Sequence, residues 1–296
     1  MLKALRPLLA LALALCSAGA LSAIAVEDDS GETVTLAAPA QRIVSLAPHI
    51  TELLYAAGAG ERIVGVGSYS DYPPAARTLP QVGSHTGIDL ERLLALKPDL
   101  VIAWQSGNGV RLIERLRALG LTVFVSEPHR LDDVPRTLEQ LGRLAASSAA
   151  AQAAAAAFRE RQRQLAERYS QRPPLRVFYQ IWHQPLMTVN GKQIISQVVE
   201  LCGGRNVFAD LPALAPRVSL EAVLAADPAV IVASGAGNER PDWLDDWRRW
   251  PQLSAVRHDN LFFVPSDLIQ RHSPRILDGA QILCEQLERA RRLVEE

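Results

Sequence analysis

The stretch "IDLERLLALKPDLVIAW", residues 88–104, is repeated in outline by "VSLEAVLAADPAVIVAS", residues 218–234. In both copies a residue that favours helix caps, Asp89 or Ser219, precedes a short helical pattern. A proline ends that pattern, and an apolar strand pattern follows. A helix that leads directly into a buried strand is a unit of a parallel α/β layer. The repetition therefore predicts that one α/β lobe is duplicated within the chain.

Strand and helix patterns alternate on both sides of each copy. In the first half of the chain the patterns predict strands at 42–47, 62–67, 100–104 and 121–126, and helices at 50–58, 89–96 and 111–120. In the second half they predict strands at 176–182, 230–234 and 261–267, and helices at 195–204 and 276–294. Such alternation is typical of parallel βα units. We expect an α/β fold of two similar Rossmann-like lobes with parallel sheets, residues 26–146 and 173–296.

Residues 147–172 separate the two lobes and have the composition of a helix. Their first half is mostly alanine, their second half is rich in arginine, glutamate and glutamine, and they contain no glycine. A flexible linker is the alternative. The composition and the stop at Pro173 favour one helix of about 24 residues, about 36 Å long. Two lobes joined by one long helix predict a ligand cleft between the lobes, with restricted closure.

The N-terminus, residues 1–25, has the three regions of a secretory signal peptide. Two basic residues precede an apolar run over 8–21, and a small-residue cleavage site ends at Ala25. The apolar run is too short to span a bilayer, which argues against a membrane anchor. Lipidation at Cys16 is an alternative, although Leu15 is bulkier than such processing normally tolerates. We expect export to the periplasm and cleavage near Ala25.

The net charge of the chain bears on its partners, and its cysteine content bears on disulfide formation. Removal of the leader changes the formal net charge from -1 to -3, and no basic block remains that could neutralise a phosphate backbone, so nucleic acid is excluded as a partner. Outside the leader the chain keeps Cys202 and Cys284. In an oxidising compartment these two cysteines most simply form a disulfide, because a zinc site would need further ligands at close spacing.

Motifs of catalysis are missing from the sequence. No HExxH, GxSxG or complete P-loop is present, and "GSHTG" at 83–87 has histidine where a nucleophile elbow needs serine. The six histidines lie at no close metal-ligand spacing. We expect no catalytic residues, no metal site and no catalytic cofactor. An enzyme that acts in the cleft stays the alternative from another class.

Glu91 and Glu221 occupy the same position in the two copies of the motif, directly after the helix start. A carboxylate there interacts favourably with the helix dipole, worth about 0.3–1 kcal/mol. Alternatively, each lobe offers one exposed acid at an equivalent place, and the two acids are matched anchor points for a partner with arginines. The residues alone favour neither interpretation.

Aromatic residues follow the carboxyl ends of predicted strands. Tyr69 and Tyr72 lie in the loop "GSYSDYPP", and Trp104 and Trp182 each end a strand pattern. Such positions line clefts in parallel α/β folds. Core packing is the alternative for any one of the four, but it does not account for all of them together.

Two further groups lie in the second lobe. Trp243, Trp247 and Trp250 have the i, i+4, i+7 spacing of one helical face, which we interpret as core. Asp267 and Arg271 follow the last predicted strand and could hydrogen-bond a ligand. They could equally form a surface salt bridge of little energetic value.

Six stretches carry a family resemblance, and they cover nearly the whole mature chain in order: "RIVSLAPHITELLYAAGAGERIVGV", "SYSDYPP", "DLERLLALKPDLVIAW", "CGGRNVF", "VSLEAVLA" and "SPRI". Through them the chain resembles the periplasmic cobalamin-binding proteins of ABC importers, within the helical-backbone class of substrate-binding proteins. The pair "SYSDYPP" and "LKPDLVIAW" is most particular to the cobalamin branch. The lobe motif alone is shared with siderophore and haem binders.

The resemblance implies a corrinoid held between the lobes by aromatic and polar contacts. The family's ligand contacts map onto Tyr69, Trp104, Asp267 and Arg271. Cobalamin is then the transported ligand, and the free protein is expected to be a monomer. The family's second-lobe cysteine pair also matches the two cysteines of this chain.

The resemblance also favours the second interpretation of Glu91 and Glu221, because the family's acids at these positions dock on arginines of the membrane permease. The permease of an ABC importer in the inner membrane is therefore the expected protein partner.

The sequence departs from the family pattern at two aromatic positions. His85 stands where a cleft tryptophan precedes the first motif, and Ala215 stands where another precedes the second. His85 could hydrogen-bond a side amide of the ligand, ligate cobalt or haem iron, or have no ligand role. The departures put the identity of the corrinoid in question, and they keep haem or a ferric siderophore as an alternative ligand.

We therefore expect a periplasmic binding protein that captures cobalamin or a related corrinoid and delivers it to an ABC importer. The expected ligand contacts are Tyr69, His85, Trp104, Trp182, Asp267 and Arg271.

Overall fold

A computed structural model describes residues 23–84, 87–235 and 237–295. The part of the predicted leader up to residue 22 lies outside the described residues. The prediction of a ligand contact for His85 also falls outside them.

A β-hairpin that the sequence analysis did not predict opens the described chain. Strand β1 (Ile24–Glu27) pairs antiparallel with β2 (Thr33–Leu36), and the buried side chains alternate as expected of a strand with one covered face. The Asp28 carboxylate accepts a hydrogen bond from Val125 N at 3.0 Å, which fixes the hairpin to the first lobe. Because Ile24 and Ala25 already pair with β2, cleavage after Ala25 would remove two pairs of this ladder.

The first lobe is built on a parallel sheet, to which its described residues contribute four strands in the order β4-β3-β7-β8. Its elements follow in chain order: β3 (Ile43–Ser45), α1 (Pro48–Ala56), β4 (Ile63–Val66), β5 (Gly83–Ser84), β6 (Gly87–Ile88), α2 (Leu90–Ala95), β7 (Leu100–Trp104), α3 (Gln105–Asn108), α4 (Val110–Ala118), β8 (Val123–Ser126) and α5 (Asp133–Leu144). Short 3-10 helices lie at Gly60–Arg62 and Pro74–Thr78.

Helix α6 (Ser148–Tyr169) connects the lobes, as predicted. It packs closely on α5, where a Cβ atom added to Gly142 would lie 2.3 Å from the Ala151 Cβ. One apolar cluster runs from the first lobe through Phe158 of α6 into the second lobe. The two lobes therefore share a continuous core on the α6 side, which limits how far they can separate there.

The second lobe repeats the first. Its described residues contribute four parallel strands in the order β10-β9-β11-β12, so β11 holds the place that β7 holds in the first sheet. Its elements are β9 (Leu175–Gln180), α7 (Ile194–Leu201), β10 (Gly204–Asn206), α8 (Leu220–Ala226), β11 (Val230–Ala233), α9 (Ser254–Arg257), β12 (Leu261–Phe263), α10 (Ser266–Ile269) and α11 (Ile276–Glu295). Within the described ranges, no helix is both long and apolar enough to cross a membrane.

The two copies of the motif form the same local structure. The Asp89 side chain accepts a hydrogen bond from Arg92 N at 3.0 Å and caps α2, and the Ser219 side chain accepts one from Ala222 N at 3.2 Å and caps α8. Each helix leads into a fully or almost fully buried strand of its sheet. The prediction of two similar α/β lobes is confirmed.

The tryptophan stripe was predicted with the wrong helical period. Asp242–Arg249 is a 3-10 helix, with three residues per turn, and Trp250 follows its end. Trp247 is buried against Phe178 at 5.7 Å between ring centroids, whereas Trp243 and Trp250 are half-buried. Proline on both sides of the segment restricts its backbone and favours a short helix over an extended α-helical face.

A disulfide joins Cys202 after α7 to Cys284 in α11, as predicted. The two cysteines are separated by 82 positions in the chain, and both side chains are buried. Closing a loop of that length stabilises the fold by about 4.5 kcal/mol in the chain-entropy model.

Candidate ligand-binding cleft

The carboxyl ends of the two sheets meet at an inner cavity of about 300 Å³. Trp104 is the last residue of β7, Glu127 follows β8, Ile181 follows β9, and His272 follows β12 and α10. Residues that follow parallel strands of both lobes thus line one cavity, as expected for a ligand site in this fold class. The described lining residues are Trp104, Ser106, Glu127, Pro128, His129, Ile181, Val189, Gln193, Ile194, Ile195, Leu214, Ala215, Gln270 and His272.

Trp104 is held at the wall of the inner cavity by contacts with neighbouring residues. Its main-chain N–H donates to Asn108 Oδ1 at 2.8 Å, and its ring meets the His49 ring edge to face at 5.2 Å. The ring also lies on Gly107, where an added Cβ atom would come within 1.9 Å of it, so only glycine fits there. The buried Nε1–H of Trp104 has no hydrogen-bond partner among the described residues.

Tyr69 projects from a loop that is anchored on both lobes. Thr51 Oγ1 donates to Ser70 Oγ at 3.0 Å, and Asp71 accepts from Arg271 of the second lobe at 2.7 Å. Tyr69 itself has a positive φ of 66° and leaves 71% of its surface exposed. A left-handed backbone is costly for tyrosine, so the anchored loop holds an exposed ring at the boundary between the lobes.

Tyr72 has a different role from Tyr69. The guanidinium of Arg275 lies 3.8 Å from the centroid of its ring, which is cation–π geometry. Because Tyr72 belongs to the first lobe and Arg275 to the second, this contact joins the lobes.

Asp267 and Arg271 form an ion pair with each other, but the pair is part of a buried network between the lobes. Arg271 donates to Glu52 at 3.0 Å and to Asp71 at 2.7 Å, and its other terminal nitrogen lies 2.7 Å from Asp267 Oδ1. Arg275 makes a bidentate contact with Glu52 at 2.7 and 3.0 Å. The pair is not a salt bridge at the open surface, since the Arg271 and Asp267 side chains are 12% and 23% exposed.

The charges of this network stabilise one another. Burial acts to raise the pKa of the Asp71 carboxyl, but the hydrogen bond and the charge of Arg271 outweigh it and lower that pKa. Burial acts to lower the pKa of Arg271, and its hydrogen bonds to Asp71 and Glu52 outweigh it in turn. Asp71 and Arg271 consequently stay ionised at neutral pH.

Two buried histidines that the sequence analysis did not select lie beside Trp104. His49 is the second residue of α1, which follows β3, and His272 follows α10. Their ring centroids are 5.9 Å apart. Burial and the charge of His129 lower the pKa of His272 to about 4, and burial also lowers the pKa of His49 well below its ordinary value. Both rings are therefore neutral at pH 7. Their positions after strand ends carry the same signal that identified the aromatic residues.

Trp182 lies outside the inner cavity, at an outer pocket of about 530 Å³ on the second lobe. Its Nε1–H donates to Gln184 O at 3.0 Å, which leaves the ring 46% exposed. His183 and Trp243 stack at 5.3 Å on the same pocket. The structure thus brings Trp104 and Ala215 to one cavity and Trp182 to another.

Glu91 and Glu221 are exposed in the first turns of α2 and α8. The backbone N–H of Glu221 and the Ser219 side chain lower the pKa of the Glu221 carboxyl, so this carboxylate is charged at neutral pH. In the described part of the chain neither acid forms an ion pair. Both carboxylates are thus available to an external partner.

Two duplicated α/β lobes, a connecting helix and a cleft at the carboxyl ends of both sheets define a substrate-binding protein of the helical-backbone class. The chain belongs to the periplasmic binding protein family, whose model matches residues 43–268. Members of this family bind substrates and are not enzymes, so the alternative of a catalytic cleft is not supported.

Relatives from two genera are named for vitamin B12 binding. The vitamin B12-binding protein of Vibrio cholerae serotype O1 is 41% identical over 255 residues, 86% of this chain and 91% of that protein. The vitamin B12-binding protein of Yersinia pestis is 42% identical over 248 residues, 84% of this chain and 86% of that protein. The crystal structure of the periplasmic vitamin B12-binding protein of Vibrio cholerae matches with a TM-score of 0.79 and covers 86% of this chain and 98% of its own.

A periplasmic haem-binding protein from Roseiflexus shares the architecture at lower identity. It is 24% identical, with a TM-score of 0.72, and covers 84% of this chain and 98% of its own. At this level of identity the similarity shows a shared fold and nothing further.

Proposed function

We propose that this protein captures cobalamin, or a related corrinoid, in the periplasm and delivers it to the permease of an ABC importer. The observation that carries the proposal is the inter-lobe cavity with Trp104 at its wall, in a chain that is 41% identical to vitamin B12-binding proteins over most of its length. An aromatic wall beside neutral polar groups suits a large, amide-rich ring ligand.

The ligand contacts follow from the positions of the side chains. Trp104 would cover the inner edge of the macrocycle, and the exposed Tyr69 ring would cover it at the lobe boundary. Trp182 would extend the wall outward at the second lobe, and His85 would be a further ligand contact. Asp267 and Arg271 would contact the ligand edge through the atoms that their network leaves exposed.

Glu91 and Glu221 would seat the two lobes on arginines of the permease in the inner membrane. Their support is equivalent placement on α2 and α8, exposure and the absence of ion pairs in the described part of the chain. Reversal of both charges, Glu91→Lys with Glu221→Lys, should abolish importer-dependent uptake and leave cobalamin affinity in solution unchanged. Uptake that persists in the double variant would contradict the docking role.

The protein would be exported by its N-terminal leader, be cleaved near Ala25 and act as a monomer when free. The pairing of Ile24 and Ala25 with β2 favours a cleavage that keeps both residues.

Calorimetric titration of the mature, disulfide-bonded protein with cyanocobalamin tests the ligand, with haemin titrated in parallel. Saturable one-to-one binding of cyanocobalamin, at an affinity above that for haemin, is the expected result. Tight binding of haemin without corrinoid binding would replace the ligand and leave the family assignment standing.

A further inference from the structure

Tyr69 is exposed, yet its backbone is fixed in a conformation that is unfavourable for tyrosine. Its φ of 66° lies in the left-handed region, and 71% of its surface is exposed. A left-handed backbone at a residue with a bulky side chain persists only where neighbouring contacts hold it, and such residues are frequent at binding sites. The contacts of the residues beside Tyr69 therefore indicate what holds this ring at the boundary between the lobes.

Contacts within the first lobe fix the loop on both sides of Tyr69. The main-chain N–H of Ser68 donates to Gly83 O at 2.7 Å, and Thr51 Oγ1 donates to Ser70 Oγ at 3.0 Å. Ser70 is buried, whereas Tyr69 directly before it is exposed. These contacts set the course of the main chain, and they do not depend on the second lobe.

Asp71 adds a contact with the second lobe. Its side chain accepts a hydrogen bond from Arg271 at 2.7 Å, and its main-chain N–H donates to the carbonyl oxygen of Tyr69 at 3.0 Å. Asp71 is thus bonded to the tyrosine through its backbone and to the opposite lobe through its carboxylate. The position of the Tyr69 carbonyl consequently depends on an ion pair between the lobes.

The partner of Asp71 has little freedom to move. The Arg271 side chain is 12% exposed, and Glu52 and Asp267 contact the same guanidinium at 3.0 and 2.7 Å. The Asp71 side chain is 46% exposed, so water screens its pair with Arg271 and the pair adds little to stability. A weak pair with a fixed partner can still select one conformation of the loop that carries Tyr69.

Building on the proposed capture of a corrinoid, in which Tyr69 covers the macrocycle, we propose that Asp71 is a positioning residue. Its pair with Arg271 holds the Tyr69 loop in the conformation that meets the ligand. A ring that is fixed before binding avoids the entropy cost of ordering it when the ligand arrives. Because the pair joins the two lobes, it holds the loop only while the lobes are together. Separation of the lobes would break the pair and release the loop.

A double-mutant cycle tests the positioning role, with cyanocobalamin affinity measured by calorimetry. Asp71→Ala should weaken binding about fivefold in the otherwise wild-type protein, the factor that corresponds to ordering one side chain on binding. Tyr69→Ala should weaken binding about tenfold or more, because it removes an aromatic contact. In the Tyr69→Ala protein, Asp71→Ala should have a further effect of less than about twofold, because its target is gone.

Two further variants separate positioning from the loss of any ion pair. Asp71→Asn keeps a neutral acceptor for Arg271 and should recover part of the affinity that Asp71→Ala loses. Asp278→Ala is the matched control, since Asp278 is 41% exposed and pairs with Arg161 of α6. It should change cyanocobalamin affinity less than about twofold. A control that weakens binding as much as Asp71→Ala would refute a specific role for Asp71.

The remaining outcomes distinguish this role from the proposed function. If Asp71→Ala costs the same affinity with and without the Tyr69 ring, the carboxylate does not act through Tyr69 and the positioning role is overturned. The same follows if Tyr69→Ala binds cyanocobalamin as tightly as the wild type, or if urea unfolds Asp71→Ala far more readily than Asp278→Ala. In each of these cases corrinoid capture still stands. If the wild-type protein binds no corrinoid, the proposed function fails and the positioning role fails with it.

Discussion

The lobes meet at two regions whose polar groups are used in opposite ways. Around Glu52, two arginines, two aspartates and a serine satisfy one another in an ionised network. Around Trp104, two buried imidazoles stay neutral at pH 7, and neither they nor the indole form an ion pair among the described residues. The first region has the groups needed to hold the lobes together, whereas Trp104 and His272 of the second region line the inner cavity. Stability and binding should therefore respond to different substitutions.

Glu52→Ala should have the largest effect and should act on stability. It removes the carboxylate that Arg271, Arg275 and Ser273 all contact, and leaves two partly buried guanidinium groups short of a partner. Removal of one partner from a buried ion pair destabilises by about 3–5 kcal/mol. Urea-induced unfolding of the oxidised protein measures the loss.

Glu139→Ala is the control for that measurement. Glu139 pairs with Arg159 at the surface, and the loss of an exposed pair should cost less than about 1 kcal/mol. If Glu52→Ala unfolds at the same urea concentration as this control, the network does not hold the lobes.

The pH dependence of stability should separate the two regions next. The pKa of His272 is about 4 in the folded protein and ordinarily 6.5, so its stabilising contribution is complete above pH 6.5 and is lost as pH falls towards 4. The loss should amount to about 1.4 kcal/mol per pH unit for each such histidine. The pKa of Asp71 is lowered from 3.8, so the contribution of its ion pair with Arg271 is lost only below that pH.

Unfolding free energies measured between pH 7 and 4 check this prediction. His272→Gln should remove its share of the slope, and the remaining slope should come largely from His49, whose pKa burial lowers in the same direction. An unchanged slope in His272→Gln would mean that the imidazole titrates normally in the folded state.

These two regions also mark how far sequence reasoning extends. Periodic features were predictable: β7 spans the same residues, 100–104, as the predicted strand, and the caps at Asp89 and Ser219 are formed as expected. The apolar spacing of α5 is typical of a helix, but this helix was not predicted. The β-hairpin at the N-terminus was not predicted, because its first residues were assigned to the leader.

The polar network was not predictable from local pattern. Glu52 and Arg271 are 219 positions apart, and nothing in the spacing of either residue indicates that they meet. The helical pattern around Glu52 predicts a helix from its apolar residues but indicates no role for this carboxylate. A buried carboxylate becomes evident only when the partners that compensate it are located in space. The contact between His49 and His272 was likewise not predictable, because the two residues come from opposite ends of the chain, although each follows a strand of its own sheet.

Substitution of the aromatic wall should have the smallest effect on stability while acting on binding. Trp104→Ala removes a ring that lines the inner cavity, and cyanocobalamin affinity should fall about thirtyfold, the loss of about 2 kcal/mol typical of a central aromatic contact. Trp182→Ala removes a ring that is 46% exposed at the outer pocket and should lower affinity less than fivefold. Calorimetry on both variants, with unfolding measured alongside, gives the ratio. Equal losses of affinity would place the ligand across both pockets. The binding region would then include the outer pocket of the second lobe as well as the region around Trp104.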